Sequence, residues 1–181
     1  SYTKPLDSLP KLLAAPGLHW CNHGFDKEHR TEENALEGFN LMVVDVDGSI
    51  SLAGVHELMK DYTFITSTTK RHTDKVNRFR LIMPTNYVLN LDKADYREFM
   101  NSFMAWLPFE VDESCNQRSK KWESYDQGNF HYNEGNILDA LRFIPKTAKN
   151  EQYKKDFQDV QSLDNMERWF AQRIATGNRN N

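Results

Sequence analysis

Two aspartates stand one residue apart at the end of an apolar run, Asn40 to Asp47 (NLMVVDVD), and Gly48 follows them. Side chains alternate across a strand, so Asp45 and Asp47 project to one face, roughly 7 Å apart at a rise of about 3.3 Å per residue. Met42, Val44 and Val46 then face the other way, giving a strand that is acidic on one side and apolar on the other. Carboxylates held side by side repel unless a cation lies between them, and two divalent ions about 3.5–4 Å apart are the usual partner in phosphoryl or nucleotidyl transfer. The same letters, Asp-x-Asp-Gly, also open an ordinary turn, because Asp and Gly both favour turn geometry.

A second group lies downstream, where Thr68-Thr69-Lys70-Arg71-His72-Thr73 precedes Arg78-Phe79-Arg80-Leu81-Ile82-Met83-Pro84. On a strand, Arg78 and Arg80 share a face opposite Phe79 and Leu81, and a cationic stripe of this kind is costly to bury without an anion. A triphosphate is one suitable anion: arginine grips it bidentately, Lys70 adds a point charge, and His72 adds a hydrogen-bond donor. The alternative pairs both arginines with Asp or Glu elsewhere in the core.

The elements that must position these groups can be read from patterning. Leu9 to Ala15 reads as a short helix closed by Pro16-Gly17, Leu18 to Phe25 as a strand, and 26–38 as a polar loop. Asn40 to Asp47 suits a central strand, 52–61 a helix, 62–69 a second strand, and Arg78 to Met83 a third that Pro84 stops. Leu91 to Trp106 is the clearest helix, with Tyr96, Phe99, Met100, Phe103 and Leu107 at threes and fours and Asn90 or Asp92 at its start. Residues 115–124 read as a short helix, and Phe130-His131-Tyr132 and Ile137 to Ile144 as further sheet. From Glu151 a helical stripe runs through Tyr153, Phe157, Val160, Leu163, Met166, Trp169 and Phe170. The order β-α-β-β-α suits an α+β architecture with a split βαβ unit, helices covering one sheet face and the other face free to hold a substrate.

With 181 residues, 39% of them hydrophobic, one principal domain with a small appendage is expected. A mean hydropathy of -0.76 and no apolar run near ~18 residues exclude a membrane span as the expectation. No apolar leader opens the sequence, and the two cysteines, Cys21 and Cys115, make no disulfide framework, so a reducing, cytoplasmic setting is expected. The net charge of -3 argues against a protein that coats nucleic acid by bulk positive charge. Arg118 with Lys120-Lys121, Lys70-Arg71 and Lys154-Lys155 could line a local channel, although any single pair reads first as solvated surface.

Taken together, VVDVDG (Val43 to Gly48), FITSTTKRHT (Phe64 to Thr73) running into NRFRLIMP (Asn77 to Pro84), and FEVDES (Phe109 to Ser114) resemble the archaeo-eukaryotic primase (AEP) superfamily, especially its phage and plasmid primase-polymerases. The resemblance spans residues 40–145 and lies in the order and spacing of the motifs. It implies an RRM-like split βαβ catalytic sheet, and template-directed nucleotidyl transfer (DNA primase or polymerase) in phage or plasmid replication. Asp45, Asp47 and Asp112 would be the catalytic, metal-binding acids for two Mg²⁺ or Mn²⁺ ions. His72 would contact the phosphates of a dNTP or NTP, with Lys70, Ser67, Thr69, Arg78 and Arg80. Arg118, Lys120, Lys121 and Tyr125 would meet single-stranded or primed template. One departure stands out: the family motif is commonly Ser-x-His, and here Lys70 holds the position two before His72. The resemblance further implies a catalytic domain over 1–148 and a helical extension over 149–181. That extension would open a primase C-terminal helical domain in a longer chain that continues toward a helicase region. In a virus the setting would be the host cytoplasm.

His19, Cys21 and His23 also alternate and could face a zinc ion together, but no fourth ligand accompanies them and no structural zinc is expected. Two rivals stay open. Paired acids with a histidine also suit a metal-dependent nuclease of a replication-initiation protein, and the same fold suits a non-catalytic nucleotide- or DNA-binding module.

Overall fold

The computed structural model describes residues 9–160, and the chain divides into two compact units, Ser1–Ile144 and Pro145–Asn181. Within the first unit the elements run α1 (Leu9–Leu13), β1 (His19–Trp20), β2 (Phe39–Asp47), α2 (Leu52–Leu58), β3 (Phe64–Thr68), β4 (Arg78–Leu89), α3 (Lys93–Trp106), β5 (Trp122–Glu123) and β6 (Phe130–Asn133). Short 3-10 turns occupy Asp26–Glu28, Glu113–Asn116 and Ala140–Phe143. The fold is α+β. Its main sheet has the order β2-β4-β3-β6, every neighbour antiparallel, while β1 and β5 form a separate two-stranded ribbon.

Because β4 is antiparallel to both β2 and β3, those two strands run parallel with β4 between them, and α2 connects them. This is a split βαβ unit. Register places Val44 opposite Leu81, Val46 opposite Phe79 and Met42 opposite Met83, all buried. Above that apolar face α3 buries Tyr96, Phe99, Met100 and Phe103, its first turn capped by Asp92, whose carboxylate accepts the Asp95 N–H at 2.9 Å. Phe39 joins them, 5.0 Å from Tyr96 and 5.4 Å from Phe99. It reaches the helix side although it has the parity of Asp45, because the ladder shifts between Phe39 and Leu41 and such a bulge reverses alternation.

That irregularity also accounts for Pro84. The strand expected to stop there continues to Leu89. Proline lacks the N–H of a central ladder and is tolerated at edges and bulges, and Pro84 meets both conditions: β3 pairs with β4 only as far as Ile82, and the β2 partner of Pro84 is Leu41, beside the shift.

The opposite sheet face is less open than expected. Val43, Ile82 and Ile65 lie in one cross-strand row and are covered by Leu9 and Leu13 of α1 and by Trp20 and Trp122 of the ribbon, whose rings lie 5.0 Å apart. Three further expectations change. The strand over Leu18 to Phe25 shrinks to His19–Trp20, and the helix over 115–124 becomes the 3-10 turn Glu113–Asn116 followed by β5. Ile137 to Ile144 holds the 3-10 turn Ala140–Phe143 rather than sheet. Leu141 and Phe143 are buried there, so an apolar run served a turn instead of a ladder.

In the second unit, α4 covers Ala148–Val160, and the Thr147 hydroxyl and carbonyl receive the N–H groups of Asn150 and Glu151. The rest of the expected stripe, from Leu163 onward, lies outside the described residues. Among the described residues no helix is long and apolar enough to cross a membrane.

Candidate active site

The uncovered end of the sheet face is polar, and strand pairing decides its contacts. Asp45 on β2 lies directly opposite Arg80 on β4, and Asp47 opposite Arg78. Arg80 donates from Nε to Asp45 Oδ1 at 2.9 Å and from Nη1 to the Glu123 carbonyl at 3.2 Å, while its guanidinium sits 5.7 Å from the Trp20 ring centre. Arg78 forms an ion pair with Asp47, whose side chain is 66% exposed. The anion that compensates the cationic stripe is therefore the aspartate pair itself. Gly48, at φ +84, turns the chain immediately after Asp47, a conformation that an L side chain rarely adopts, and its N–H bonds to the Asn77 carbonyl.

The third acid arrives from a loop. Asp112 N–H bonds to the Asp45 carbonyl at 2.9 Å, which pins the 109–116 segment to the acidic end of β2. Its carboxylate caps the following 3-10 turn: Oδ1 accepts the Ser114 N–H at 2.9 Å and Oδ2 the Ser114 hydroxyl at 2.8 Å. Lys120 then places its ammonium 2.8 Å from Asp112 Oδ2 and 3.9 Å from Asp45 Oδ2. Burial works against the charged form of Asp112, but the bonds from Lys120 and Ser114 outweigh it and hold the carboxyl below its ordinary range. Lys120 moves the opposite way for the matching reason: burial disfavours the ammonium, and the bond to Asp112 with the charges of Asp112 and Asp45 more than offsets that.

Asp45, Asp112 and Cys115 present ligand atoms within 4.8 Å of one another. The donor set suits a hard divalent cation, since two carboxylates converge where an ammonium already sits. Cys115 is a less fitting ligand. Its Sγ accepts the Asp45 N–H at 3.4 Å, and burial, reinforced by the Asp45 charge, pushes its pKa up to about 12, so the thiol keeps its proton.

Asp45 and Asp112 border a cleft of about 290 Å³. Its floor is Asp45, Val46, Asp47, Phe79 and the two arginines; Thr69, Lys70 and Arg71 form one wall, and Asp112, Glu123, Ser124 and Tyr125 the other.

No protein-family model matches the sequence, and no curated protein matches it. A solved structure does match: the AEP domain of the primase-polymerase from cyanophage S-2L, with 10% sequence identity and a TM-score of 0.50 over 79% of this chain and 78% of that one. The chain has the fold of an AEP domain.

Within this AEP fold the residues singled out from sequence separate into three groups. Asp45, Asp47, Asp112, Thr69, Lys70, Arg78, Arg80 and Tyr125 border the cleft, with Lys70 exposed on its wall. His72 and Ser67 do not border it. Ser67 is buried between Arg80 and Phe130 in the sheet register. His72 accepts the Arg78 N–H on Nδ1 at 3.0 Å and so organises the β3–β4 turn, which leaves the proton of the neutral ring on Nε2 as a donor. The third group lies after Asp112. Arg118 is buried, donating to the Glu32 carbonyl at 2.7 Å, and Lys120 is held between two acids, so neither is an open surface cation; Lys121 is exposed.

Sequence reasoning missed Lys120 as a partner of the acids, Trp20 beneath Arg80, and Glu123 and Ser124 at the cleft, while Arg71 was read only as part of a basic pair. Alternation could have paired the aspartates with the arginines, since both stripes were visible. The ribbon that delivers Trp20 and Glu123 joins segments about a hundred residues apart and carries no local signal. Of the alternating trio, His23 is buried against Phe39 and Tyr96, and its Nδ1 lies 2.9 Å from Asn22 Oδ1.

Proposed function

We propose that this chain is a template-directed nucleotidyltransferase, a primase-polymerase that extends DNA from a dNTP or NTP on single-stranded or primed template. The observation that carries the reading is the convergence of Asp45 and Asp112 on one cation position at the open end of the sheet, in a fold shared with a primase-polymerase AEP domain. Asp45 and Asp112 would hold Mg²⁺ or Mn²⁺, with Asp47 beside them for a second ion. Divalent ions bound there supply charge neutralisation at the triphosphate and a lowered pKa at the attacking 3′-hydroxyl. The protein's own groups do the positioning. Lys70 and Arg71 on the exposed wall would receive phosphate oxygens, Arg78 would exchange Asp47 for phosphate, and Nε2 of His72 would donate from the turn. Arg80, 9% exposed and bound on three sides, orients Asp45 rather than reaching a ligand. Tyr125 on the opposite wall offers a stacking surface to a base. Residues 1–148 would form the catalytic domain and 149–181 the start of a helical extension leading toward a helicase region, in the replication of phage or plasmid DNA.

One feature favours a second reading, a nucleotide-binding module without turnover: each of the three acids already has a basic partner in Arg80, Arg78 or Lys120. Incubation with a labelled primer on a template, nucleotides and Mn²⁺ or Mg²⁺ separates the possibilities. A lengthened primer is expected. A shortened primer would indicate a nuclease, and an unchanged primer with bound nucleotide would indicate the module.

A further inference from the structure

Lys120 was legible in the sequence only as part of a basic cluster, and the structure puts it to another use. Asp112 Oδ2 receives the ammonium at 2.8 Å, the Ser114 hydroxyl steadies it, and Asp45 Oδ2 lies 3.9 Å away. The other oxygen of Asp45 is already held by Arg80 Nε at 2.9 Å, and the other oxygen of Asp112 by the Ser114 N–H. The two oxygens that face Lys120 are thus the ones a cation would share, Asp112 Oδ2 also accepting the Ser114 hydroxyl at 2.8 Å. Lys120 is 18% exposed at its side chain, on a flexible four-carbon stem, so it can withdraw toward solvent without rearranging the backbone.

We infer that Lys120 is a resident stand-in for the metal ion: it compensates Asp45 and Asp112 in the metal-free protein, and a divalent ion gains the site by exchanging with it. This rests on the reading of Asp45 and Asp112 as ion-binding acids. Two consequences follow from electrostatics. The metal-free protein keeps its acids in place without an ion, so the centre is built before metal arrives. The ion's affinity is also set below what the two carboxylates alone would give, because binding must displace an ammonium bonded to Asp112 and 3.9 Å from Asp45. Lys120 is accordingly a positioning residue that tunes metal affinity, not a group that needs to touch DNA.

The test uses the full chain without nucleotide, titrated with MnCl₂, free Mn²⁺ being read by electron paramagnetic resonance and stability by thermal melting with EDTA or Mn²⁺. Lys120→Met should bind Mn²⁺ about tenfold or more tightly than the wild type, the direction expected when a unit charge is removed from contact with the ligands. It should melt lower than wild type in EDTA and regain the difference in Mn²⁺, whereas Lys120→Arg, which keeps the charge, should stay near wild-type affinity. Should Lys120→Met fail to fold in EDTA, folding on addition of Mn²⁺ is the expected result, and failure in both conditions overturns the inference. Equal or weaker Mn²⁺ binding by Lys120→Met overturns it while leaving the metal site standing. Absence of Mn²⁺ binding by wild type and variant alike overturns both the inference and the reading beneath it.

Discussion

Val43 and Asp45 lie two residues apart on β2 and face the same side of the sheet, yet Val43 is fully buried in the cluster with Trp20 and Trp122, and Asp45 opens onto the cleft. The rows they begin cross the whole sheet: Val43, Ile82, Ile65 and Tyr132 in one, Asp45, Arg80, Ser67 and Phe130 in the other. Alternation within a strand assigns a residue to a face. Whether that part of the face becomes core or site depends on what is laid over it, here a two-residue ribbon and a five-residue helix. The apolar half makes a floor for the polar half, and Arg80 joins them by stacking near Trp20 while holding Asp45.

Breaking the apolar half should have the largest effect on stability. Trp122→Ala removes a side chain that is 1% exposed and packed on Trp20, and a loss of about 3–5 kcal/mol is expected in urea unfolding. An effect below about 1 kcal/mol would mean that the ribbon is a removable cover.

Acid should sharpen the contrast next. Burial, with Arg118 adding to it, lowers the pKa of His23 to about 4 from 6.5, so between those values the unfolded chain binds a proton that the native chain refuses. Stability therefore rises with pH through this window and is lost as pH falls from about 6.5 to about 4, by about 3 kcal/mol in all. His23→Leu should flatten that limb. Asp112 contributes in the same direction at lower pH: its lowered pKa stabilises the fold above the unfolded value near 3.8, and that contribution disappears as pH drops through the folded one. Unfolding curves collected across pH would show the two limbs in that order.

Severing the link between the halves should cost less. Arg80→Met leaves the partly exposed Asp45 carboxylate without its 2.9 Å partner, and about 1–3 kcal/mol is expected. Smallest of the set is Asp92→Ala at the start of α3, at about 1 kcal/mol for a lost N-cap. A larger effect for Asp92→Ala than for Arg80→Met would reverse the proposed importance of the link.

The legible parts of this molecule were those written in local periodicity. The facing of Asp45, Asp47, Arg78 and Arg80 followed from alternation, and α3 from the spacing of Tyr96, Phe99, Met100 and Phe103 with a capping Asp92. What escaped depended on partners far along the chain. Pro84 reads as a stop until the end of β3 and the shift in β2 are known, and Arg118 reads as a surface cation until Glu32 is found against it. Lys120 is the sharpest case, because its neighbour Lys121 is exposed while Lys120 itself closes the acidic pair. Adjacent identical residues took different roles, one against the acids and one exposed, and composition cannot carry that difference.

The most direct test of the central claim, that Asp45 and Asp112 form a nucleotidyl-transfer centre, is primer extension by Asp45→Asn beside the wild type in Mn²⁺. The substitution keeps shape and removes charge. The account predicts active wild type and a loss of about a hundredfold or more in a variant that still folds, with the melting temperature lowered because buried Arg80 loses its charged partner. Extension by the variant at the wild-type rate would contradict it.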